Sequence, residues 1–207
     1  MNALKQLNFL ADIGDIENVS SDTFDYRPAI FSPAESERYL KTFLKEVSWS
    51  QLTTVMYGRE VVTPRLYAWF GDKNTAYSYN GNDFHPAPWT PELLEIRAKV
   101  ETLSGIKFNS VLLNYYRDEN DSVAWHSDRD AEAGRNRFVA SVSFGQARHF
   151  DLRRKDDYAK KFSVLLESGS YLFMKGEFQD QWEHRIAKSK KPMTARINLT
   201  FRISTTI

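Results

Sequence analysis

The 207-residue sequence predicts a mainly β protein of the α+β class, a β-sandwich or barrel with helices packed on one side. Two segments ahead of residue 106 repeat apolar residues at helical spacing. Six short segments rich in β-branched and aromatic residues follow, separated by turns rich in Gly, Asp, Asn or Lys. Helices followed by closely spaced strands are typical of such layered architectures.

Both predicted helices have N-terminal capping signals. Ser32-Pro33-Ala34-Glu35 has the order of a capping box with proline at the first helical position, and apolar residues continue at helical spacing as far as residue 47. Thr90-Pro91-Glu92 begins the second helix, and Gly105 is suited to end it. We therefore expect one helix over residues 33–47 and another from Pro91 up to Gly105.

The sequence after Gly105 is typical of strands. We predict them at residues 108–116, 138–144, 162–167, 171–175, 182–187 and 195–203. No repeat, low-complexity tract or Gly/Ser linker divides the chain. We therefore expect a single domain over residues 26–207, preceded by an N-terminal appendage over residues 1–25.

Composition excludes several kinds of protein and site. The sequence has no cysteine, which rules out disulfides, zinc–thiolate sites, iron–sulfur clusters and thiol nucleophiles. No apolar run approaches the length of about 20 residues that spans a membrane, and the N-terminus lacks the apolar core of a signal peptide. We expect an intracellular enzyme or binding protein that does not enter a membrane.

The net charge of +1 is unevenly distributed along the chain. Acidic residues outnumber basic ones over residues 1–128, and basic residues outnumber acidic ones over residues 129–207. This asymmetry suggests a surface that faces a polyanion. An ordinary solvated surface explains the same pattern, so charge alone leaves both interpretations open.

The last predicted strand has two chemically different faces. Alternation places Ile197, Leu199, Phe201 and Ile203 on one face and Arg196, Asn198, Thr200 and Arg202 on the other. Guanidinium groups present planar donors that suit the carboxylates of a small diacid. A half-exposed strand without a special function gives the same alternation, and the pattern does not choose between the two.

Two His-x-Asp segments are candidate metal ligands. With a distant second histidine such as His184, a His-x-Asp pair can form the two-histidine, one-carboxylate face of non-haem Fe(II) oxygenases. The chain offers His126-Ser127-Asp128 and His149-Phe150-Asp151. Spacing does not choose between them, and a structural histidine is the alternative for either.

Five motifs follow one another along the chain. They are Asn114-Tyr115-Tyr116, His126-Ser127-Asp128, Ala140-Ser141-Val142-Ser143-Phe144-Gly145, His184, and Arg196-Ile197-Asn198-Leu199-Thr200-Phe201-Arg202. In this order and spacing the sequence resembles the AlkB family of Fe(II)- and 2-oxoglutarate-dependent dioxygenases, in particular the animal members that repair duplex DNA. The resemblance spans roughly residues 50–203. It implies a double-stranded β-helix (jelly roll) with the N-terminal helices packed on one side, a core at about 106–203 and nucleotide-recognition loops at about 50–90.

The resemblance implies roles for the polar residues of these motifs. His126, Asp128 and His184 would bind iron, which selects the first His-x-Asp pair over the second. The residues implied to hold 2-oxoglutarate are Asn114, Tyr116, Arg196, Asn198, Thr200 and Arg202, with Arg196 on the distal carboxylate. The implied cofactors are Fe(II), the cosubstrate 2-oxoglutarate, and dioxygen.

Other segments resemble substrate-binding parts of the family. Met56-Tyr57-Gly58 resembles a loop that wedges into the base stack, and Arg65 is expected to reach toward a phosphate or the vacated space. The residues expected to surround a flipped base are Tyr77 and Tyr79, Trp182 as an opposite wall, and Asp130 as an acceptor for an exocyclic amine. Core packing is the alternative for each aromatic residue. Arg129 departs from the pattern, because the relatives tend to carry an acid there, and we expect it to alter base preference or to favour contact with the nucleic-acid backbone.

The function implied is oxidative removal of N-methyl groups from bases such as 1-methyladenine and 3-methylcytosine. We expect a monomer that binds alkylated nucleic acid, in the cytoplasm of a bacterium or the nucleus of a eukaryote. An oxygenase of the same fold that acts on a protein or small molecule is the alternative. A metal-binding module without activity, or a zinc hydrolase, is a third possibility that the arginine-rich last strand disfavours.

Overall fold

A seven-stranded and a four-stranded antiparallel sheet form the body of the protein. The structure is a computed structural model, and it describes residues 19–20, 23–56, 59–75, 77–79, 82–128 and 138–204. No helix within these residues is long and apolar enough to cross a membrane.

The elements are as follows. The helices are α1 (Pro33–Glu46), α2 (Pro91–Ser104) and the single turn α3 (Phe178–Gln181). The strands that precede α2 are β1 (Val19–Ser20), β2 (Phe24–Arg27), β3 (Thr53–Met56), β4 (Arg59–Val62), β5 (Leu66–Gly71), β6 (Tyr77–Tyr79) and β7 (Asn82–Phe84). Those that follow it are β8 (Ser110–Tyr116), β9 (Val123–His126), β10 (Val139–Gly145), β11 (Arg148–Arg154), β12 (Lys161–Leu166), β13 (Tyr171–Met174), β14 (Trp182–Ile186) and β15 (Arg196–Arg202).

Both long helices begin and end where their capping residues predict. Ser32 N donates to Glu35 Oε2 at 2.7 Å and Glu35 N donates to Ser32 Oγ at 3.3 Å, which completes the capping box of α1. Thr90 Oγ1 accepts from Leu93 N at the start of α2. Gly105, with a φ of 70°, ends α2 in the left-handed region. The two predicted helices are confirmed.

The large sheet has the order β1-β2-β13-β10-β15-β8-β5, and the small sheet has the order β12-β11-β14-β9. Two hairpins, β3–β4 and β6–β7, lie outside both sheets. The six predicted strands are confirmed as β8, β10, β12, β13, β14 and β15, each within two residues of its predicted bounds. The mainly β architecture with few helices confirms the predicted fold class.

Several strands were missing from the sequence prediction, and their composition explains why. β11 contains four charged residues and a histidine, and only Phe150 and Leu152 are apolar. The apolar alternation that indicates a strand is therefore short, and the side chains that face solvent are polar. β2 is short and follows an acidic segment, yet it pairs with β13 and begins at Phe24. The predicted division between residues 25 and 26 therefore falls inside a strand of the large sheet.

The two faces of β15 show how the layers are arranged. Its apolar residues Ile197, Leu199 and Phe201 are fully buried in the cluster that α1 and α2 form against the large sheet. A second cluster, which includes Tyr116, Leu152 and Phe178, lies where the two sheets face each other. The polar face of β15 is therefore directed between the sheets, where the candidate site lies.

Candidate metal and cosubstrate site

Two imidazoles and a carboxylate converge between the sheets. His126 at the end of β9 lies in register with His184 on β14, and the centroids of the two rings are 4.3 Å apart. Asp128 Oδ1 lies 3.7 Å from His126 Nε2, and Asp128 Oδ2 lies 3.8 Å from His184 Nε2. One ligand atom from each of the three residues lies within 4.8 Å of the other two.

The protonation states of these residues favour metal binding. Burial lowers the pKa of the His184 imidazole to about 3, although Asp128 raises it, so the ring is neutral at pH 7. Burial raises the pKa of the Asp128 carboxyl, but Arg202 and the two imidazoles outweigh this effect and hold it at about 2. His126 Nδ1 lies 2.8 Å from Ala124 O, which can only accept, so Nδ1 carries the proton and Nε2 is left to bind a metal.

This donor set fits a divalent iron-type cation. Two histidines and one carboxylate on one face are the ligands of non-haem Fe(II) oxygenases. His126, Asp128 and His184 are therefore the residues that would hold the metal.

Arg202 provides a contact that the sequence did not predict. Its Nη2 donates to Asp128 Oδ1 at 2.7 Å, across 74 residues of sequence. The Asp128 side chain is 8% exposed and that of Arg202 is 21% exposed, so the pair is largely shielded from water. The contact fixes one carboxylate oxygen, and the charge of Arg202 is the largest of the effects that lower the pKa of Asp128.

Arg196 is a buried cation with unused donors. The residue is 1% exposed, and its Nη2 donates to Ser143 Oγ at 2.9 Å. Among the described residues, its Nε and Nη1 have no hydrogen-bond partner. Burial lowers the pKa of this guanidinium to about 10, which leaves it ionised at pH 7. A buried, unpaired charge costs several kcal/mol, so the site is suited to an anionic ligand such as the carboxylate of 2-oxoglutarate.

A ladder of short polar side chains lies beside Arg196. Asn198 Nδ2 donates to Ser141 Oγ at 2.7 Å and to Val142 O at 3.0 Å. Thr200 Oγ1 donates to Asn198 Oδ1 at 3.0 Å. The sequence analysis assigned no role to the two serines of β10, Ser141 and Ser143, although their alternation with Val142 and Phe144 places them on one face.

Comparison with known proteins agrees with this geometry. The family model of the 2OG-Fe(II) oxygenase superfamily matches residues 23–202. The human protein named DNA oxidative demethylase ALKBH2 is 35% identical over 183 residues, which cover 84% of this chain and 70% of that protein. This chain belongs to the AlkB family of 2OG-Fe(II) oxygenases. The family membership confirms the predicted cofactors, Fe(II), 2-oxoglutarate and dioxygen.

Two further AlkB proteins define the extent of the similarity. The bovine protein named alpha-ketoglutarate-dependent dioxygenase alkB homolog 3 is 36% identical over 184 residues. This chain spans 64% of the length of that relative. The solved structure titled "The structure of OsALKBH1" matches with a TM-score of 0.66 at 17% identity and covers 90% of this chain and 100% of that one. The latter match supports the AlkB fold.

Asn114, Tyr116 and Arg65 lie next to the residues of the candidate site. β8 pairs with β15 so that Asn114 is opposite Asn198 and Tyr116 is opposite Arg196. Arg65 Nε donates to Asn114 Oδ1 at 2.8 Å, and its charge contributes to the low pKa of Asp128. The structure thus places the Arg65 guanidinium inside the site.

A cavity of about 690 Å³ adjoins this site through Arg202, whose guanidinium also donates to Asp128. Arg65, Asn114 and Arg202 line the cavity on the side of the site, and the aromatic residues Tyr67 and Trp69 also line it. Its volume is in the range of small-molecule sites. The sequence prediction omitted these two aromatic residues, although alternation places them on one face of β5, in line with Arg65 just before the strand.

The structure describes the side chains of only some of the other predicted substrate-binding residues. Tyr57, Gly58, Arg129 and Asp130 lie outside the described residues, as do the side chains of Met56, Tyr77 and Tyr79. Trp182 is buried in the core between the sheets, where its ring meets that of Phe162 edge-on at 5.2 Å. This position agrees with the alternative of core packing.

Proposed function

We propose that this chain is an Fe(II)- and 2-oxoglutarate-dependent dioxygenase that removes N-methyl groups from nucleobases. The observation that carries the proposal is a His–Asp–His cluster next to a buried arginine whose Nε and Nη1 have no partner among the described residues. A zinc hydrolase has no need for a second, cationic pocket beside its metal. An enzyme that binds a diacid beside its metal does need one.

The cofactors supply the oxidation, and the protein supplies binding and orientation. Overall, N–CH₃, 2-oxoglutarate and dioxygen give N–CH₂OH, succinate and carbon dioxide, and the hydroxymethyl group then leaves as formaldehyde. Arg196 holds the distal carboxylate of 2-oxoglutarate, while Ser143 fixes one edge of its guanidinium. Asn198 and Thr200 form the polar floor, and Arg202 holds the Asp128 carboxylate in place. Asn114 and Tyr116 complete the cosubstrate pocket from β8.

The substrate we propose is an alkylated base in nucleic acid, of the 1-methyladenine and 3-methylcytosine type. Chemistry on a base requires it to leave the stack and enter a pocket with aromatic walls. The cavity lined by Tyr67, Trp69 and Arg202 supports this substrate class. One relative is named DNA oxidative demethylase, and this name favours the same substrate class.

We retain the expected roles of most of the substrate-binding residues as part of this proposal. They are the wedge Met56-Tyr57-Gly58, the base-holding Tyr77 and Tyr79, Asp130 as an acceptor for an exocyclic amine, and Arg129 as a residue that alters base preference or contacts the backbone. Trp182 packs in the core and Arg65 binds Asn114, so neither keeps its predicted role here. We further propose that the chain acts as a monomer on DNA or RNA. It would work where that substrate lies, in the cytoplasm of a bacterium or the nucleus of a eukaryote.

Product formation on methylated oligonucleotides tests this proposal. Incubation with Fe(II), ascorbate and 2-oxoglutarate should release formaldehyde and succinate in equal amounts from oligonucleotides with 1-methyladenine or 3-methylcytosine. Single-stranded and duplex DNA and RNA are assayed in parallel, with unmethylated strands as the control. If 2-oxoglutarate is consumed and no strand loses its methyl groups, the substrate is instead a protein or a small molecule.

A further inference from the structure

The one-turn helix α3 lies directly before the strand that carries His184. Its first residue, Phe178, is fully buried in the core between the sheets, and its second, Gln179, is 2% exposed. Lys155 Nζ donates to Gln179 O at 2.6 Å, which ties the backbone of this turn to the end of β11. The packing of Phe178 and the hydrogen bond from Lys155 therefore hold this helix in place without a ligand.

The side chain of Gln179 contacts the backbone of the carboxylate ligand. Asp128 N donates to Gln179 Oε1 at 2.9 Å, across 51 residues of sequence. Gln179 Nε2 donates in turn to Met174 Sδ at 3.6 Å. Both ends of the buried amide therefore have partners, as a buried polar group requires.

Asp128 needs such a contact because of where β9 ends. The ladder between β9 and β14 reaches His126 and stops there, so strand pairing does not hold the two residues that follow. Ser127 Oγ donates to Trp182 O at 2.9 Å, and Asp128 N is bound by Gln179. The segment 126–128 is thereby joined to the segment 179–184 at each of its three residues.

We infer that Gln179 is a positioning residue for the metal centre, which holds the backbone of Asp128 so that its carboxylate faces the two imidazoles. This inference rests on the proposed function, because it assumes that Asp128 binds the metal. A ligand held in place beforehand loses less conformational freedom when the ion binds. Removal of an outer partner of a metal ligand typically reduces metal affinity by about 10–100-fold.

Titration of the apoprotein with Mn(II), followed by the electron paramagnetic resonance signal of the free ion, tests this role. Gln179→Met keeps the length of the side chain and removes the acceptor, and we expect it to weaken Mn(II) binding by about tenfold or more. Gln181→Met is the matched control on the same helical turn. Gln181 Nε2 donates to Glu177 Oε2, away from Asp128. The Mn(II) affinity of Gln181→Met should therefore stay within about twofold of that of the unmodified protein.

Gln179→Glu separates positioning from packing. The glutamate keeps an oxygen for Asp128 N, loses the donor to Met174 and adds a negative charge, so we expect it to bind Mn(II) about tenfold more tightly than Gln179→Met does. Hydrogen exchange of the Asp128 amide in the unmodified apoprotein is a further measurement that needs no variant to fold. We expect this amide to be protected, because its hydrogen bond to Gln179 is buried.

Four results would overturn the inference: full Mn(II) affinity in Gln179→Met, an equal loss in Gln181→Met, an equal loss in Gln179→Glu, or unprotected exchange of the Asp128 amide. Absence of Mn(II) binding by the unmodified chain is a different failure. It would remove the metal centre and the proposed function, and the role of Gln179 with them.

Discussion

The two His-x-Asp segments of this chain share a sequence pattern and differ in surroundings. His126 and Asp128 face the space between the sheets, where the His184 ring lies 4.3 Å from that of His126. His149 and Asp151 lie on the outer face of β11, and His149 is exposed. The first pair meets a third residue that could bind the same metal ion, and the second pair does not meet one among the described residues.

The outer pair is already satisfied by its neighbours. Ser163 Oγ donates to Asp151 Oδ1 at 2.9 Å and lies 3.2 Å from His149 Nδ1. Arg185 Nε donates to the second carboxylate oxygen at 2.8 Å. The comparison teaches that a His-x-Asp pattern becomes a metal site through the sheet face it occupies and the distant residues it meets there.

Alanine substitution of the two histidines should separate the pairs most strongly. His126→Ala removes one of three metal ligands, and we expect Mn(II) affinity to fall by more than about 100-fold and formaldehyde release to be lost. His149→Ala should keep both within about twofold. Titration with Mn(II) and the formaldehyde assay measure the two effects. The reverse pattern would assign the metal to the outer face.

Substitution by lysine compares Arg196, which lies between the sheets, with Arg185, which lies on the outer face of the small sheet. Arg196→Lys keeps the charge and loses the planar fork, so the KM for 2-oxoglutarate should rise by roughly tenfold with little change in kcat. Arg185→Lys, on the outer face, should leave that KM unchanged. Steady-state kinetics at varied 2-oxoglutarate measure the difference, and equal values for the two variants would remove Arg196 from the cosubstrate pocket.

Removing a hydroxyl group from the inner face, at Ser143, and one from the outer face, at Ser163, should give a smaller difference in the KM for 2-oxoglutarate. Ser143→Ala removes the acceptor that orients Arg196 Nη2, a bond whose loss costs about 1 kcal/mol, so the KM for 2-oxoglutarate should rise several-fold. Ser163→Ala removes the outer hydroxyl between His149 and Asp151 and should not change this KM. A rise in both variants would mean that the two faces are coupled.

The smallest effect is expected at Trp125, which faces away from the metal ligands. The guanidinium carbons of Arg153 and Arg185 lie 4.4 and 4.5 Å from the centre of its ring. Trp125→Leu should lower the free energy of unfolding by about 1 kcal/mol through loss of these cation–π contacts, and leave the KM for 2-oxoglutarate unchanged. Urea unfolding of the apoprotein measures the first quantity. A change in KM without a change in stability would contradict a purely structural role.

Local signals made part of the fold predictable from the sequence. The capping box at Ser32 and the glycine stop at Gly105 depend on a few neighbouring residues, and both helices formed where they indicate. The alternation of β15 also predicted its two faces. What the sequence did not show is which layer each face meets, because that depends on pairing with β8 and β10.

The site is assembled by contacts between residues that are far apart in sequence. Arg202 meets Asp128 across 74 residues and Gln179 meets it across 51, and no spacing rule connects such positions. The choice of His126 over His149 likewise came from the family resemblance, since the two patterns are alike as sequences. The sequence prediction missed β11 because most residues on its outer face are charged. This strand belongs to the small sheet, and His126 and His149 lie on opposite faces of that sheet.

Crystals grown without oxygen in the presence of Fe(II) and 2-oxoglutarate would test the central claim most directly, with diffraction data collected at the iron absorption edge. We predict one anomalous peak in bonding distance of His126, Asp128 and His184, and the distal carboxylate of 2-oxoglutarate against the Arg196 guanidinium. An iron peak at other residues, or 2-oxoglutarate bound away from Arg196, would contradict it.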